Sequence, residues 1–469
     1  MAKFVILIIS AAVLLNCIGC MQGSESSVTT KRDDGTIELW DGRIIPPMPE
    51  LLGVRAQYYL RMDWLKKKHE QILPMMRKHG IGMWIIPEGT FDRDPLTHYV
   101  APTRSFSHGV THIFVDGGDE GLKRYSTYAH PTVDYTEFFE ILPEDYGASL
   151  RKIDSLYKPQ IIGLAYGGGR GHNSSLTYDA YQYIAKTLGP EGQKRFVPAM
   201  SLIEEYVDTR LPEELNEYRK LVQATVILAQ RAFSNEVITP GVTTTADLKW
   251  WFDQQVASWN VGAQPWFTTN TNVQRFNPET GQIEHHTNPS GSDSPDRRPY
   301  QRGDLITIDC GIDYIGFKSD IQRVAYILRE GEIDVPAGLK IALQNRNKVA
   351  EVYCKMPRPG MMGREAAAAI EKELEGVDFV YTLGCHSIGY HGHALGPSIR
   401  STKSSYNSQR ESVSTLRLGS YMAVEGTVTT AIPEWNGQKA RISYEDNGVL
   451  TEHGYEYLAP IQKEWYLIR

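Results

Sequence analysis

Acidic side chains and histidines recur in the C-terminal half of the sequence on segments that are otherwise apolar. Asp309 closes the run LITID, and Asp320 stands in GFKSDIQR, where the chain turns into a second strand-like run. A charge in such a segment is costly unless something compensates it. Two strands joined by that short loop form an antiparallel pair, which can set both carboxylates side by side. Carboxylates that close repel and raise one pKa, unless a cation sits between them. An Asp-x10-Asp spacing is a weak signal by itself, so the context decides. CHSIGYHGHALGP holds three histidines, His386, His391 and His393, among glycines. MAVEGT and SYEDNGVLTEHG each place a Glu in or beside an apolar run. An oxygen-rich shell with one imidazole suits Mn, Co, Fe or Zn in a paired site. Such ions lie about 3.5–4 Å apart and share a water that turns nucleophilic near neutral pH.

The elements that must position these groups are legible. DLITIDCGID, KSDIQRVAYIL and YMAVEGTVTTA read as strands, and TTTADLKWWFDQQVASWN and LKIALQNRNKVAEVYCKM read as helices. Strand alternation turns Cys310 away from the side that Asp309 faces. RLPEELNEYRKLVQATVILAQRAFSNEV reads as a long helix opened by Pro212 and an acidic first turn. Before it, helix-like and strand-like segments alternate. LRMDWLKKKHEQILPMMRKHG predicts a helix ended by Gly80, IGMWIIP, THIFVDGG and PQIIGLAYGGG predict strands, and TYDAYQYIAKTLG predicts another helix closed by glycine. This alternation predicts an α/β domain. The Gly-rich YGGGRGHN lacks the Lys-Ser/Thr of a phosphate loop and reads as a turn. His391 reads as exposed or as a loop residue rather than a ligand, and His69 on a Lys-rich helix and His453 near the C-terminus read as solvated surface.

The order Asp, Asp, His, Glu, Glu resembles that of the pita-bread metallopeptidases over about residues 212–469. This family includes Xaa-Pro aminopeptidases, prolidases, methionine aminopeptidases and creatinase. RGDLITIDCGIDYIGFKSDIQR resembles the family's first ligand pair, which implies that Asp309 and Asp320 bind metal. HSIGYHGH resembles its His-x-Ile-Gly segment, which implies a metal-binding His386 and a substrate-facing His393. VEGT implies Glu425 as the next ligand, and EDNGVLTEHG implies Glu445 as the last, bridging one. The resemblance also implies a histidine ahead of the first Asp, for which GQIEHHTNP offers His285, with His286 competing. An Arg that the family carries two residues before the bridging Glu stands four before it here, as Arg441.

The resemblance further implies an α+β pita-bread catalytic domain over 209–469, preceded by an α/β domain over 51–208 like that of creatinase and prolidase. The implied cofactors are two divalent metal ions, Mn first, with Co, Zn or Fe as alternatives. The implied substrates are peptides with proline at the second position or Xaa-Pro dipeptides, cleaved by the shared hydroxide. Glu425 would shuttle the proton, and His393 and His285 would donate hydrogen bonds to the substrate. A homo-oligomer is also implied. Two other readings share the plan: a creatinase-like amidinohydrolase, which does without metals, and a catalytically inactive binding protein. The complete ligand set argues against both.

At 469 residues the chain exceeds one ordinary core, which predicts two domains. With 41% hydrophobic and 22% charged residues and a net charge of -7, it reads as a folded globular protein without a basic stripe, which excludes nucleic acid as a partner. Lys3 followed by FVILIISAAVLL predicts a secretory signal over 1–20. Its end, Asn16-Cys17-Ile18-Gly19-Cys20, resembles a bacterial lipoprotein signal, with lipidation at Cys20 and Cys17 where Leu is usual. The expectation is an exported periplasmic or cell-envelope protein anchored to the membrane through Cys20. Residues 21–50, Ser/Thr-rich and ending in PPMP, read as a tether with little fixed structure. Cys310, Cys354 and Cys385 are odd in number and widely spaced, so they read as buried thiols.

Overall fold

The computed structural model describes residues 29–88, 94–102, 109–128, 133–143, 145–168, 174–287, 297–401 and 415–469. The expected signal segment with Cys20, and residues 169–173 of the Gly-rich turn, lie outside them. The chain forms two compact units, Met1–Pro47 and Met48–Arg469. In the first, β1 (Thr29–Lys31), β2 (Ile37–Leu39) and β3 (Ile44–Ile45) form an antiparallel meander. Part of the expected tether therefore carries regular structure. The reason is turn chemistry: the Asp34 carboxylate accepts the Thr36 N–H at 2.9 Å, and Gly35 takes φ +83°.

The second unit opens with the helix Val54–Lys78, and Gly80 at φ +67° follows its end. A six-stranded sheet follows, made of β4 (Met83–Glu88), β5 (Val110–Asp116), β6 (Leu122–Ser126), β7 (Glu140–Ile141), β8 (Ile162–Leu164) and β9 (Phe196–Pro198). Its order is β7-β6-β5-β4-β8-β9. The uninterrupted apolar run of β4 follows from burial on both faces. Met83 and Ile85 pack with Leu150 and Ile153 of the helix Tyr146–Tyr157 and with Ile184 of Tyr178–Gln193. Trp84 and Ile86 face the opposite side, in a core shared with Met62, Trp64 and Ile72 of the first helix.

His69, expected at the surface, is buried at 2% exposure, and its Nε2 lies 2.8 Å from the Val100 carbonyl. Helical period explains the correction: Lys66 and Lys67 are exposed, whereas Lys68 and His69 share the inward side with Leu65 and Ile72. His453 is exposed, as expected.

From Glu214–Ala232 onward the chain builds a larger sheet. Its strands are β10 (Gln264–Pro265), β11 (Asn270–Asn277), β12 (Gln282–Thr287), β13 (Asp304–Cys310), β14 (Ile312–Tyr314), β15 (Phe317–Lys318), β16 (Ile321–Ile327), β17 (Val380–Tyr381), β18 (Gly384–Ser387), β19 (Ile399–Arg400), β20 (Tyr421–Ala431), β21 (Lys439–Thr451), β22 (Gly454–Tyr457) and β23 (Tyr466–Ile468). β10, β14 and β15 form a small sheet of their own, and the other eleven run in the order β12-β11-β13-β16-β21-β20-β18-β19, with β17, β22 and β23 attached at its sides. The helix Thr245–Ser258 starts on a capping box between Thr244 and Asp247. The helices Ala337–Lys355 and Gly363–Glu373 cover one face of the sheet, where Val349, Tyr353, Ala366 and Ile370 pack with Met422, Val424 and Tyr444. Alternation leaves Glu425 and Glu445 on the other face. Among the described residues, no helix is long and apolar enough to cross a membrane.

Candidate metal centre

One rung of the sheet collects the carboxylates. Asp309 of β13 is opposite Gln322 of β16, Gln322 is opposite Glu445 of β21, and Glu445 is opposite Glu425 of β20. Residues directly opposite share a face, so these side chains converge. Asp320 precedes Gln322 by two residues and takes the same side. His386 of β18 is opposite Ala423, two residues before Glu425, and joins the group from the far strand. Ligand atoms of Asp309, Asp320 and Glu445 lie within 4.8 Å of one another, as do those of His386, Glu425 and Glu445 and those of Asp320, His386 and His393. The three groups overlap, so the structure brings together all five residues that the sequence nominated as ligands, together with His393.

The electrostatics are those of a site short of positive charge. Burial pushes the Asp309 carboxyl up to about 7. Burial, with the Asp309 charge added, does the same to Glu425. Asp320 and Glu445 are pushed well above the carboxylate range, first by burial and then by their acidic neighbours. Asp309 Oδ1 is buried with no hydrogen-bond partner among the described residues. The His386 Nδ1–H donates to the Ser387 carbonyl at 3.1 Å, which directs the lone pair of Nε2 toward Glu425 Oε1 at 3.7 Å and Asp320 Oδ2 at 3.8 Å. Crowded carboxylates, an orphaned oxygen and an oriented imidazole fit a pair of hard divalent cations.

Supporting residues hold this set in place, and sequence reasoning had not found them. The Gln322 amide donates to Glu445 at 2.8 Å, and Asn447 accepts the Asp320 backbone N–H at 2.9 Å. Asn270, 4% exposed, stands directly opposite Asp309. Strand period could have flagged Gln322, two residues after Asp320, but the partners of Asn447 and Asn270 come from other strands.

His393 lies at the open rim. Its ring is 4.6 Å from that of His386 and 5.8 Å from Trp266. Gly392 permits this arrangement, because a Cβ there would fall 2.0 Å from the Trp266 ring. His285 is opposite Gln274 on β11, four residues along from Asn270, so it shares the face of Asp309 but is displaced by about 13 Å along the strand. It is exposed and outside the cluster. His286 faces the other side, beside Arg298. Arg441 shares the ligand face. Its backbone N–H donates to Gln274 at 3.0 Å, and its side chain is exposed.

His391 lies in a loop, as expected, and is half-buried. It stacks on Tyr99 at 5.5 Å, with Nδ1 3.0 Å from the Tyr99 hydroxyl. Cys310 and Cys385 are fully buried free thiols outside the cluster, and burial raises both.

The model of metallopeptidase family M24 matches residues 216–452. The solved X-Pro aminopeptidase of Thermotoga maritima MSB8 superposes with a TM-score of 0.60 at 18% identity, covering 84% of this chain and 99% of that one. The Xaa-Pro dipeptidase of Bacillus anthracis gives 0.58 at 18% identity over 86% and 99%, and the prolidase of Pyrococcus horikoshii OT3 gives 0.56 at 19% over 85% and 99%. No curated protein matches. At such identities the likeness concerns the fold: an α/β N-terminal domain followed by an α+β pita-bread catalytic domain.

Proposed function

The chain belongs to metallopeptidase family M24, and from that premise we propose that it cleaves the bond before proline at the N-terminus of peptides or in Xaa-Pro dipeptides. Two divalent ions, Mn first among Mn, Co, Zn and Fe, would be held by Asp309, Asp320, His386, Glu425 and Glu445. The observation that supports this most is the single rung on which Asp309, Glu445 and Glu425 converge with no Lys or Arg ion pair among the described residues, Arg400 only partly offsetting the charge of Glu425. Proline specificity draws on the resemblance and on the solved X-Pro peptidases that share the fold.

When bound, the ions supply Lewis-acid polarisation of the scissile carbonyl and activation of water. The chain's own groups do the rest. The Glu425 side chain is 30% exposed, against 5% for His386 and 6% for Asp320, which leaves it open enough to reach both the reacting water and the leaving amine as proton carrier. His393, at the rim beside Trp266, donates a hydrogen bond to the substrate carbonyl as negative charge develops. His285, on the same face, would act as a second donor only where a substrate extends along β11.

The test is release of Ala from Ala-Pro and from an Ala-Pro-Xaa tripeptide by metal-stripped protein, with Mn, Co or Zn restored and Glu425→Gln as control. Metal-dependent release that the control loses is the expected result. Folded protein inert with every metal would instead point to a non-catalytic binding role.

The leader motivates export and lipid anchoring through Cys20, with scavenging of external peptides as the role. Cys20→Ala should move the protein from the membrane to the soluble fraction, and an unchanged distribution would dismiss the anchor. The resemblance also motivates a homo-oligomer, which light scattering of the purified protein would reveal or dismiss.

A further inference from the structure

A cavity of about 470 Å³ opens where the helix Val54–Lys78 and the short helix Thr97–Val100 meet the β14–β15 hairpin of the small sheet. Arg61, His98, Asp313, Lys318, Tyr390 and His391 line it. Two of its walls lead into the candidate centre, since Lys318 precedes Asp320 by two residues and His391 precedes His393 by two. A step of two residues spans at most about 7 Å.

The lining carries an excess of positive charge at one point. Lys318 is neutralised by Asp313 at 2.5 Å. Arg61 differs. It is half-buried, its guanidinium sits 6.0 Å from the centre of the Tyr390 ring, and among the described residues it has no carboxylate partner. The Tyr390 hydroxyl cannot serve it as an acid, because it donates to Glu214 at 3.0 Å.

Arg61 and His98 converge on one spot. A Cβ on Gly316 would lie 3.2 Å from His98 Nε2 and 3.6 Å from Arg61 Cζ. Gly316 has φ +91°, so glycine keeps both the turn and the opening. A half-buried guanidinium in a polar cavity is built for a planar carboxylate, which it grips with paired N–H donors.

We propose that this cavity is a carboxylate subsite of the peptidase, with Arg61 as its principal cation. It takes a carboxylate one or two residues beyond the scissile bond, the reach that about 7 Å allows at about 3.5 Å per residue. The carboxylate is either the free C-terminus of a di- or tripeptide or an acidic side chain at that position. The inference rests on the peptidase reading and adds the substrate class to it.

The experiment compares kcat/KM, with Mn supplied, for Ala-Pro-Ala, Ala-Pro-Ala-amide and Ala-Pro-Asp-amide, using the full chain and its Arg61→Gln and Arg61→Lys variants. A charge-assisted hydrogen bond predicts that the wild type prefers the free acid over the amide by about 10- to 100-fold, carried mainly by KM. The ratio should fall toward one in Arg61→Gln and stay between the two in Arg61→Lys. If Ala-Pro-Asp-amide matches the free acid, the side chain is an accepted source; if it behaves as the plain amide, the C-terminus is the one recognised.

A wild type that treats acid and amide alike, or an Arg61→Gln variant that slows both equally, would overturn the subsite while leaving the peptidase intact. Absence of turnover on every peptide would remove the peptidase reading, and the subsite with it. Should Arg61→Gln not fold, the ratio in the wild type and in Arg61→Lys decides.

Discussion

Glu445 and Asp446 are consecutive residues of β21, both buried, and they face opposite sides of one sheet. Asp446 meets Arg323 at 2.7 Å and Arg346 at 3.8 Å, two guanidiniums that are themselves fully buried. Burial lifts its carboxyl, and both arginines pull it back. Glu445 meets Asp320, Glu425 and Asp309, and every one of them adds to the upward push of burial. On one face the chain supplies its own counter-charge, and on the other it withholds it. Burial of an acid therefore does not distinguish a structural residue from a ligand. What distinguishes them is whether the fold brings the cation or leaves that to something bound.

The largest effect that would break this contrast is on catalysis. Glu425→Gln should lower kcat for Ala release by about 10²- to 10⁴-fold while the metal-free protein stays folded; near-normal turnover would mean that Glu425 carries no proton.

Next in size is the structural face. Asp446→Ala strands two buried guanidiniums and should cost about 3–5 kcal/mol in urea denaturation. Glu445→Gln removes one of several crowded like charges, so in metal-free protein it should cost little or stabilise. Equal losses would erase the difference between the faces.

The pH dependence sharpens the same point. Asp309 and Glu425 have folded pKa values of about 7, above their ordinary range, so the folded state holds more protons than the unfolded one between about pH 4 and 7. Their contribution to stability is present at low pH and is lost as pH rises through about 7. The melting temperature of chelator-treated protein should fall from pH 5 to pH 8, and saturating Mn should remove the fall. A flat profile without metal would show that the carboxylates are not crowded. Gln322→Leu is expected to have the smallest effect, weakening Mn binding by about 10- to 100-fold in calorimetric titration through lost orientation of Glu445.

Some of this was legible from residues alone. Asp309 and Glu425 stand on apolar strands of clear alternation, and a charge there asks for a partner. The same alternation turns Cys310 away from the cluster. Other assignments could not be read that way. His69 follows three lysines in KKK, and only the placement of its helix against Phe114, Phe138 and Phe139 shows it to be interior. Part of the expected tether forms strands because two Asp-Gly turns, Asp34-Gly35 and Asp41-Gly42, close them. His285 and His286 compete on sequence, and the pairing of His285 with Gln274 puts only the first on the ligand face, still four residues from the rung of Asp309.

By itself, the sequence determined which residues share a side of a strand, because the period of two is a local property of the backbone. It also determined where acids and histidines accumulate. Only the tertiary structure decided which strands meet and at what offset. Gln322 and Glu445 are 123 residues apart in the chain and become neighbours through the pairing of β16 with β21. The same pairing brings Arg323 to Asp446, and the helix Ala337–Lys355 laid on that face adds Arg346. Strand register is set by packing over distances that no local pattern spans, so the counter-charge of a buried acid is a property of the folded chain.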